Sequence, residues 1–194
     1  MTIVYTQPLL VQHPGFMASG IEVRTSNAEE SDPAQARINR QWHQFYRQGI
    51  PLDLSANAEN GRVVGIYSHY ENGAHGHYTV LAGVQLRRGV ASPPEYVTIK
   101  VSAGEYIVFK APGFGSRAVI TCWSAIWDFF SRGEHELAGR YERAFTADFE
   151  VYGDPEYVSI YVSVKRKLGV RLPPAGVWSS AVFCLDRWPS PALL

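Results

Sequence analysis

The stretch INRQWHQFY, Ile38 to Tyr46, decides the fold because its spacing returns later in the chain. Its apolar residues Ile38, Trp42, Phe45 and Tyr46 fall at i, i+4, i+7 and i+8, which is one face of a helix. VITCWSAIW, Val119 to Trp127, repeats the pattern 81 residues on. Ile38 falls on Val119, Trp42 on Trp123, Phe45 on Ile126 and Tyr46 on Trp127.

The surroundings of the two stripes repeat as well. GFMASGIEVRT, from Gly15, predicts a strand ahead of the first helix. Asp32 and Pro33 suit the helix N-cap and first position, and Gly49 and Pro51 its end. ANAENG (56–61) reads as a polar turn, and RVVGIYSHY and HYTVLAGVQL as strands around the loop ENGAHG. SPP at Ser92 marks a linker, and EYVTIKVSAGEYIVFKAPG supplies extended chain up to Gly113. A helix over 115–133 follows, then the hairpin TADFEVYGDPEYVSIYVSVK, Thr146 to Lys165, with YGDP as its turn. GIY at Gly65 matches EVY at Glu150, and HYTVLAGV matches EYVSIYVS. The order is strand, helix, strand, strand, twice over: an internally duplicated βαββ unit, with halves of about 15–90 and 94–166. Each helix needs sheet to bury its aromatic face, so neither half is expected to stand alone.

The chain has 194 residues, enough to bury roughly 70% of its unfolded surface without a disulfide or metal staple. Its 18 Lys+Arg balance 18 Asp+Glu, and no basic stripe is present to neutralise a phosphate backbone, so direct nucleic-acid binding is not expected. Cys122 and Cys184 form no CxxC pair, the N-terminus lacks a basic n-region, and no apolar run approaches membrane length. These features predict a soluble protein of a reducing, cytoplasmic compartment, with no membrane partner, metal or cofactor. Aromatics reach 13%, more than a core requires, and an excess of rings suits a flat or cationic ligand.

Glu150 stands in the middle of the first hairpin strand. Alternation sends Phe149 and Val151 to one face, and Asp148, Glu150 and Tyr152 to the other. In the second strand Val158, Ile160, Val162 and Val164 form one face, and Tyr157, Ser159, Tyr161 and Ser163 the other. Aligning the hydrophobic faces places Glu150 with Tyr152, Tyr157 and Tyr161. A carboxylate among rings can host an organic cation, each ring adding about 0.5–2 kcal/mol. The alternative is a water-exposed face on which Glu150 is ordinary surface.

GIYSHYENGAHGHYTVLAGVQL resembles the first-half signature of gyrase-inhibitor-like effector-binding domains, and DFEVYGDPEYVSIYVSVK their second-half ending. Such domains are the ligand sensors of AraC-type and MerR-type activators and also occur alone, as in integron-cassette proteins, which this chain resembles most. The resemblance covers about Gly15 to Arg166. It implies an α+β fold of duplicated βαββ units with pseudo-twofold symmetry, antiparallel sheets and two helices flanking a ligand cleft. It further implies that the glutamate of the E-x-Y strand, here Glu150, receives cationic, often aromatic ligands. Tyr78 matches the tyrosine of H-Y-T-V, and Trp42 or Tyr46 the helix aromatic of the cleft. Tyr152 and Tyr161 complete the expected ligand set. The resemblance departs at Ser163, where these domains carry proline, and ends near Lys167. Residues 168–194 form an unmatched extension, open to packing on the domain, lining a cleft, meeting a second subunit in a homodimer or staying disordered; its large apolar residues favour partial ordering.

The leading expectation is a binding protein, sensor or sequestering, for amphipathic cationic aromatic molecules. No DNA-binding helix-turn-helix is read ahead of the first strand. Two rivals remain open: a hydrolase using Glu150 as general base, and a protein inhibitor of the gyrase-directed kind, against which the neutral net charge weighs. His75-x-His77 lacks a further ligand pair for a metal. Cys122 lacks the base a nucleophile needs, and APGFGSRA lacks the Lys-Ser/Thr of a phosphate loop. No catalytic residue is therefore assigned.

Overall fold

The computed structural model describes residues 7–113 and 115–168, so the extension beyond Leu168 lies outside the described residues. The elements are, in chain order, β1 (Leu9–His13), β2 (Phe16–Ser26), α1 (Asn27–Glu30), α2 (Ile38–Arg47), α3 (Ile50–Asp53), β3 (Ala58–Ser68) and β4 (His77–Leu86). They continue with β5 (Val97–Val101), β6 (Gly104–Pro112), α4 (Ser116–Arg132), α5 (Glu136–Arg140), β7 (Tyr141–Arg143), β8 (Ala147–Tyr152) and β9 (Tyr157–Arg166).

The strands form one antiparallel sheet in the order β1-β6-β9-β8-β3-β4-β2-β5, with β7 on β9. Outward from the β3–β8 seam, β3-β4-β2 on one side mirrors β8-β9-β6 on the other. The units are therefore β2-α2-β3-β4 and β6-α4-β8-β9, an α+β duplication about a pseudo-twofold axis through that seam. The short strands that precede each unit cross over: β1 pairs with β6, and β5 with β2. This exchange ties the halves together, and β1 lies in a segment whose pattern had announced no strand.

Both faces of the sheet are covered. Val64, Ile66, Leu81, Ile99, Tyr106 and Phe149 fill the face away from the two long helices. On the helix side, Val119, Cys122 and Ile126 of α4 pack on Ile107, Phe109, Val158, Ile160 and Val162. Phe45 of α2, with Ile50 and Leu54, packs on Ala82, Val84 and Leu86. Truncating a side chain such as the fully buried Phe45 to alanine costs about 3–5 kcal/mol in such a core.

Three local expectations are corrected. The first long helix begins at Ile38, not at Asp32. The Asp32 carboxylate accepts from the Ala34 N–H at 2.9 Å and the Gln35 amide at 2.7 Å, closing a turn of its own. Glu30 takes over the cap, accepting the Arg37 and Ile38 N–H groups that open the helix. ANAENG is a turn only at Ala56 and Asn57; its remaining residues already belong to β3, where Asn60 and Gly61 take positive φ and the pairing with β4 shifts between Ala58 and Val63, a bulge. Third, the β8–β9 register pairs Phe149 with Tyr161, Glu150 with Ile160 and Val151 with Ser159. Directly paired residues share a face, so Tyr157 and Tyr161 lie on the side opposite Glu150. Alternation misled here because each face of this hairpin meets a core, so neither apolar set is marked for one side.

Ser163 fixes that register. Asp148, fully buried, accepts both the Ser163 N–H (2.7 Å) and the Ser163 hydroxyl (2.9 Å). A proline here would lack the N–H and the hydroxyl alike.

Candidate functional site

Glu150 sits on the helix side of the seam, 1% exposed. Its Oε1 accepts from the Tyr67 hydroxyl at 2.9 Å and from the Trp123 indole N–H at 2.7 Å. Its Oε2 accepts from the Tyr152 hydroxyl at 2.6 Å. Among the described residues it has no salt-bridge partner. Burial raises its pKa above the usual carboxylate range, and the three donors pull it partly back. Both tyrosine hydroxyls are pushed upward by burial and by the Glu150 charge, which keeps them protonated as donors.

The duplication explains the geometry. Gly65, the counterpart of Glu150 in the first unit, pairs directly with it across the seam. A Cβ on Gly65 would lie 2.8 Å from Glu150 Oε2 and 3.0 Å from the Trp42 ring, so the missing side chain is what makes room for the carboxylate. Tyr67 and Tyr152 are likewise counterparts, and both donate to it. Trp123 donates as well, while its counterpart Trp42 packs edge-on against Tyr152, 5.2 Å between centroids. A nearly symmetric aromatic frame thus encloses one unsymmetric charge.

This frame opens into a cavity of about 1210 Å³ between α2 and α4. Of the residues expected there, Glu150, Tyr78, Trp42, Tyr46 and Tyr152 line it. Tyr46 is a rim residue, 57% exposed and stacked on Trp42 at 6.0 Å. Tyr78 stands farther along, donating to Asn27 Oδ1 at 3.0 Å and packed near Tyr67 and Tyr70. Tyr161 does not join them: it stacks on Phe149 at 4.5 Å on the other sheet face. Tyr67, Tyr70, Trp123, Trp127 and Arg143 line the cavity without having been singled out for it. The match of GIY to EVY held the signal for Tyr67, and the Trp42–Trp123 correspondence that for Trp123. No sequence spacing announces Arg143.

Arg143 and Asp148 form a second buried charged group. Arg143 Nη2 donates to Asp148 Oδ2 at 2.5 Å, and the Tyr70 hydroxyl donates to the same oxygen at 2.8 Å. The guanidinium lies 4.7 Å from the Trp127 ring centroid and 4.3 Å from that of Phe145. Phe145 holds φ at 53°, a strained value for a bulky residue.

Cys122 lies on the buried side of α4, where burial and the Glu150 charge push its thiol up to about 12, so it stays protonated. His77 approaches Glu29 and Glu71, whereas His75 lines the cavity. Among the described residues no three His, Cys, Asp or Glu side chains gather as a metal site would require. No helix among them is long and apolar enough to cross a membrane. Chemically the site can accept a positive charge or a proton on Glu150 and surround it with ring faces.

A family model described as the integron-associated effector binding protein, Cass2, matches residues 9–164. The candidate transcriptional regulator YobU of Bacillus subtilis (strain 168) is 31% identical over 155 residues, 76% of this chain and 91% of the relative. The crystal structure of an integron cassette protein, VCH_CASS2, from the mobile metagenome of Vibrio cholerae superposes with a TM-score of 0.65 at 31% identity. It covers 83% of this chain and 97% of its own. The structure of SAV2435 bound to tetraphenylphosphonium superposes with a TM-score of 0.66 at 20% identity, covering 82% of this chain and 94% of its own.

Proposed function

Because this chain belongs to the Cass2 family of integron-associated effector binding proteins, we propose that its cavity receives an amphipathic aromatic cation, with Glu150 as the counter-charge. One observation carries this reading: the Glu150 carboxylate is buried at the base of an aromatic cavity, held by three neutral donors and, among the described residues, by no cation. A buried charge without a partner costs several kcal/mol, and an entering cation removes that cost. The rings of Trp42, Tyr67, Trp123 and Tyr152 add cation–π attraction, about 0.5–2 kcal/mol each. The cavity exceeds the roughly 300–1,000 Å³ of ordinary small-molecule sites. A neighbour of the same fold, SAV2435, holds tetraphenylphosphonium, a cation of this class. The protein acts as a sensor or sequestering protein for such compounds.

The test is an equilibrium titration of tetraphenylphosphonium against the wild type and Glu150→Gln, followed by tryptophan fluorescence. The carboxamide keeps the shape: its oxygen accepts from Tyr67 and Trp123, and its NH₂ donates to the Tyr152 hydroxyl. Saturable wild-type binding with a large loss in Glu150→Gln is expected. Equal affinity for both would sink the role of the charge.

A further inference from the structure

The buried charged residues among those described are Glu150, Arg143 and Asp148. Arg143, 7% exposed, spends only Nη2 on Asp148, and its Nε and Nη1 are buried with no hydrogen-bond partner among the described residues. Leaving donors of a charged group unmet is costly, and in a native protein it calls for an acceptor. Arg143 lines the same cavity as Glu150. One indole separates the two: Trp123 donates to Glu150 at 2.7 Å, and the Arg143 guanidinium carbon lies 5.8 Å from the Trp123 ring centroid. Trp127 covers the guanidinium and is 37% exposed at the rim, so its ring has solvent to swing into.

From this geometry we propose that Arg143 is a second ligand-recognising residue, and that the ligand is a monocation carrying a neutral hydrogen-bond acceptor about one ring's width from its positive centre. The inference rests on the cation reading above and deepens it. The cationic centre meets Glu150, and a carbonyl or similar oxygen reaches the unmet N–H groups of Arg143 once Trp127 turns aside. Charge selects a neutral acceptor over a carboxylate. Arg143 and Asp148 cancel, Glu150 leaves one negative charge, and one cation neutralises it. A zwitterion would leave the buried site with net negative charge, and a dication would leave it positive.

The experiment compares two probes that differ in one group: (4-benzoylbenzyl)trimethylammonium, with a ketone, and (4-benzylbenzyl)trimethylammonium, with a methylene in its place. Each is titrated into the wild type, Arg143→Lys and the charge-balanced double variant Arg143→Met/Asp148→Asn, which guards against misfolding by an uncompensated Asp148. Wild type is expected to bind the ketone about tenfold or more tightly than the methylene compound, the size of one hydrogen bond to a charged donor. Both variants are expected to lose that preference, the ketone's affinity falling to that of the methylene compound in the same variant. Equal wild-type affinities for the two probes overturn the inference and leave the Glu150 reading standing. A ketone preference that survives in the double variant overturns it too. If neither probe binds wild type, the cation reading fails and the inference falls with it.

Discussion

Replacing Gly65 with alanine places one methyl group against the Glu150 carboxylate. The new Cβ would sit 2.8 Å from Oε2 and 3.0 Å from the Trp42 ring. A carbon rests at about 3.3 Å or more from an oxygen, so Oε2 must retreat by roughly half an ångström. Oε2 is the oxygen held by Tyr152 at 2.6 Å. A hydrogen bond to a charged group is worth about 1.5–3 kcal/mol, and most of that bond is lost. Gly65 has no positive φ, so alanine meets no backbone strain and recovers about 0.4–1 kcal/mol by restricting the unfolded chain. The expected net cost is about 1–2 kcal/mol, a fall in Tm of roughly 2–8 °C for a chain of this size. Affinity for tetraphenylphosphonium should fall about tenfold. Urea unfolding followed by tryptophan fluorescence measures the first quantity, and titration the second. The decisive step is to repeat the substitution in a Glu150→Ala background, where the carboxylate is gone and only the 3.0 Å approach to Trp42 remains. There the share of the cost owed to the carboxylate should vanish, a coupling of about 1 kcal/mol or more within the range for residues in contact. An equal cost in both backgrounds, or none in the wild type, refutes the claim that Gly65 exists to seat the carboxylate. Gly20→Ala is the contrast: its Cβ would meet the Ala82 carbonyl oxygen at 2.0 Å, so backbone would have to move and folding should fail.

Further outcomes follow from other parts of the structure. Ser163→Pro removes both groups that Asp148 Oδ1 accepts from, and should lower unfolding free energy by about 3 kcal/mol or more in urea melts. His13, packed among Phe16, Tyr106, Phe149 and Tyr161, has its pKa lowered from 6.5 to about 4, chiefly by burial. Between those values the unfolded chain binds the extra proton, so this contribution is whole above pH 6.5 and is lost as pH falls toward 4. His13→Asn should flatten that part of the stability profile. Trp123→Phe keeps a ring but removes the indole N–H from Oε1, so Glu150 should titrate at higher pH and cation affinity at neutral pH should drop several-fold, read by calorimetry.

The aromatic helix stripes made the duplication legible, because a helix packed on a sheet keeps its 3.6-residue period in plain sequence. The correspondence Gly65 to Glu150 was legible for the same reason, and in three dimensions the two residues face each other. The hairpin register was not legible. Val158 and Ile160 pack under α4, whereas Phe149 and Tyr161 pack on the opposite face, so both faces read as apolar. The register is held by Asp148 and Ser163, a polar contact that alternation does not encode. Arg143 was invisible for a related reason. It comes to the cavity from the three-residue strand β7, whose place depends on its pairing with β9. Tyr161 was misplaced by that same register, whereas Tyr78, singled out by the resemblance of HYTV and not by alternation, lines the cavity.

The central claim is that an ionised Glu150 balances the charge of a bound cation. Its most direct test is the pH dependence of tetraphenylphosphonium affinity in wild type and Glu150→Gln, between about pH 5 and pH 8. The raised pKa means that, as pH falls through it, the wild-type carboxyl must lose a proton before the cation can bind. Wild-type affinity should therefore weaken toward about tenfold per pH unit on the acid side, with proton release on binding, and the Glu150→Gln profile should be weak and flat. A flat wild-type profile, or the same slope in Glu150→Gln, would contradict the account.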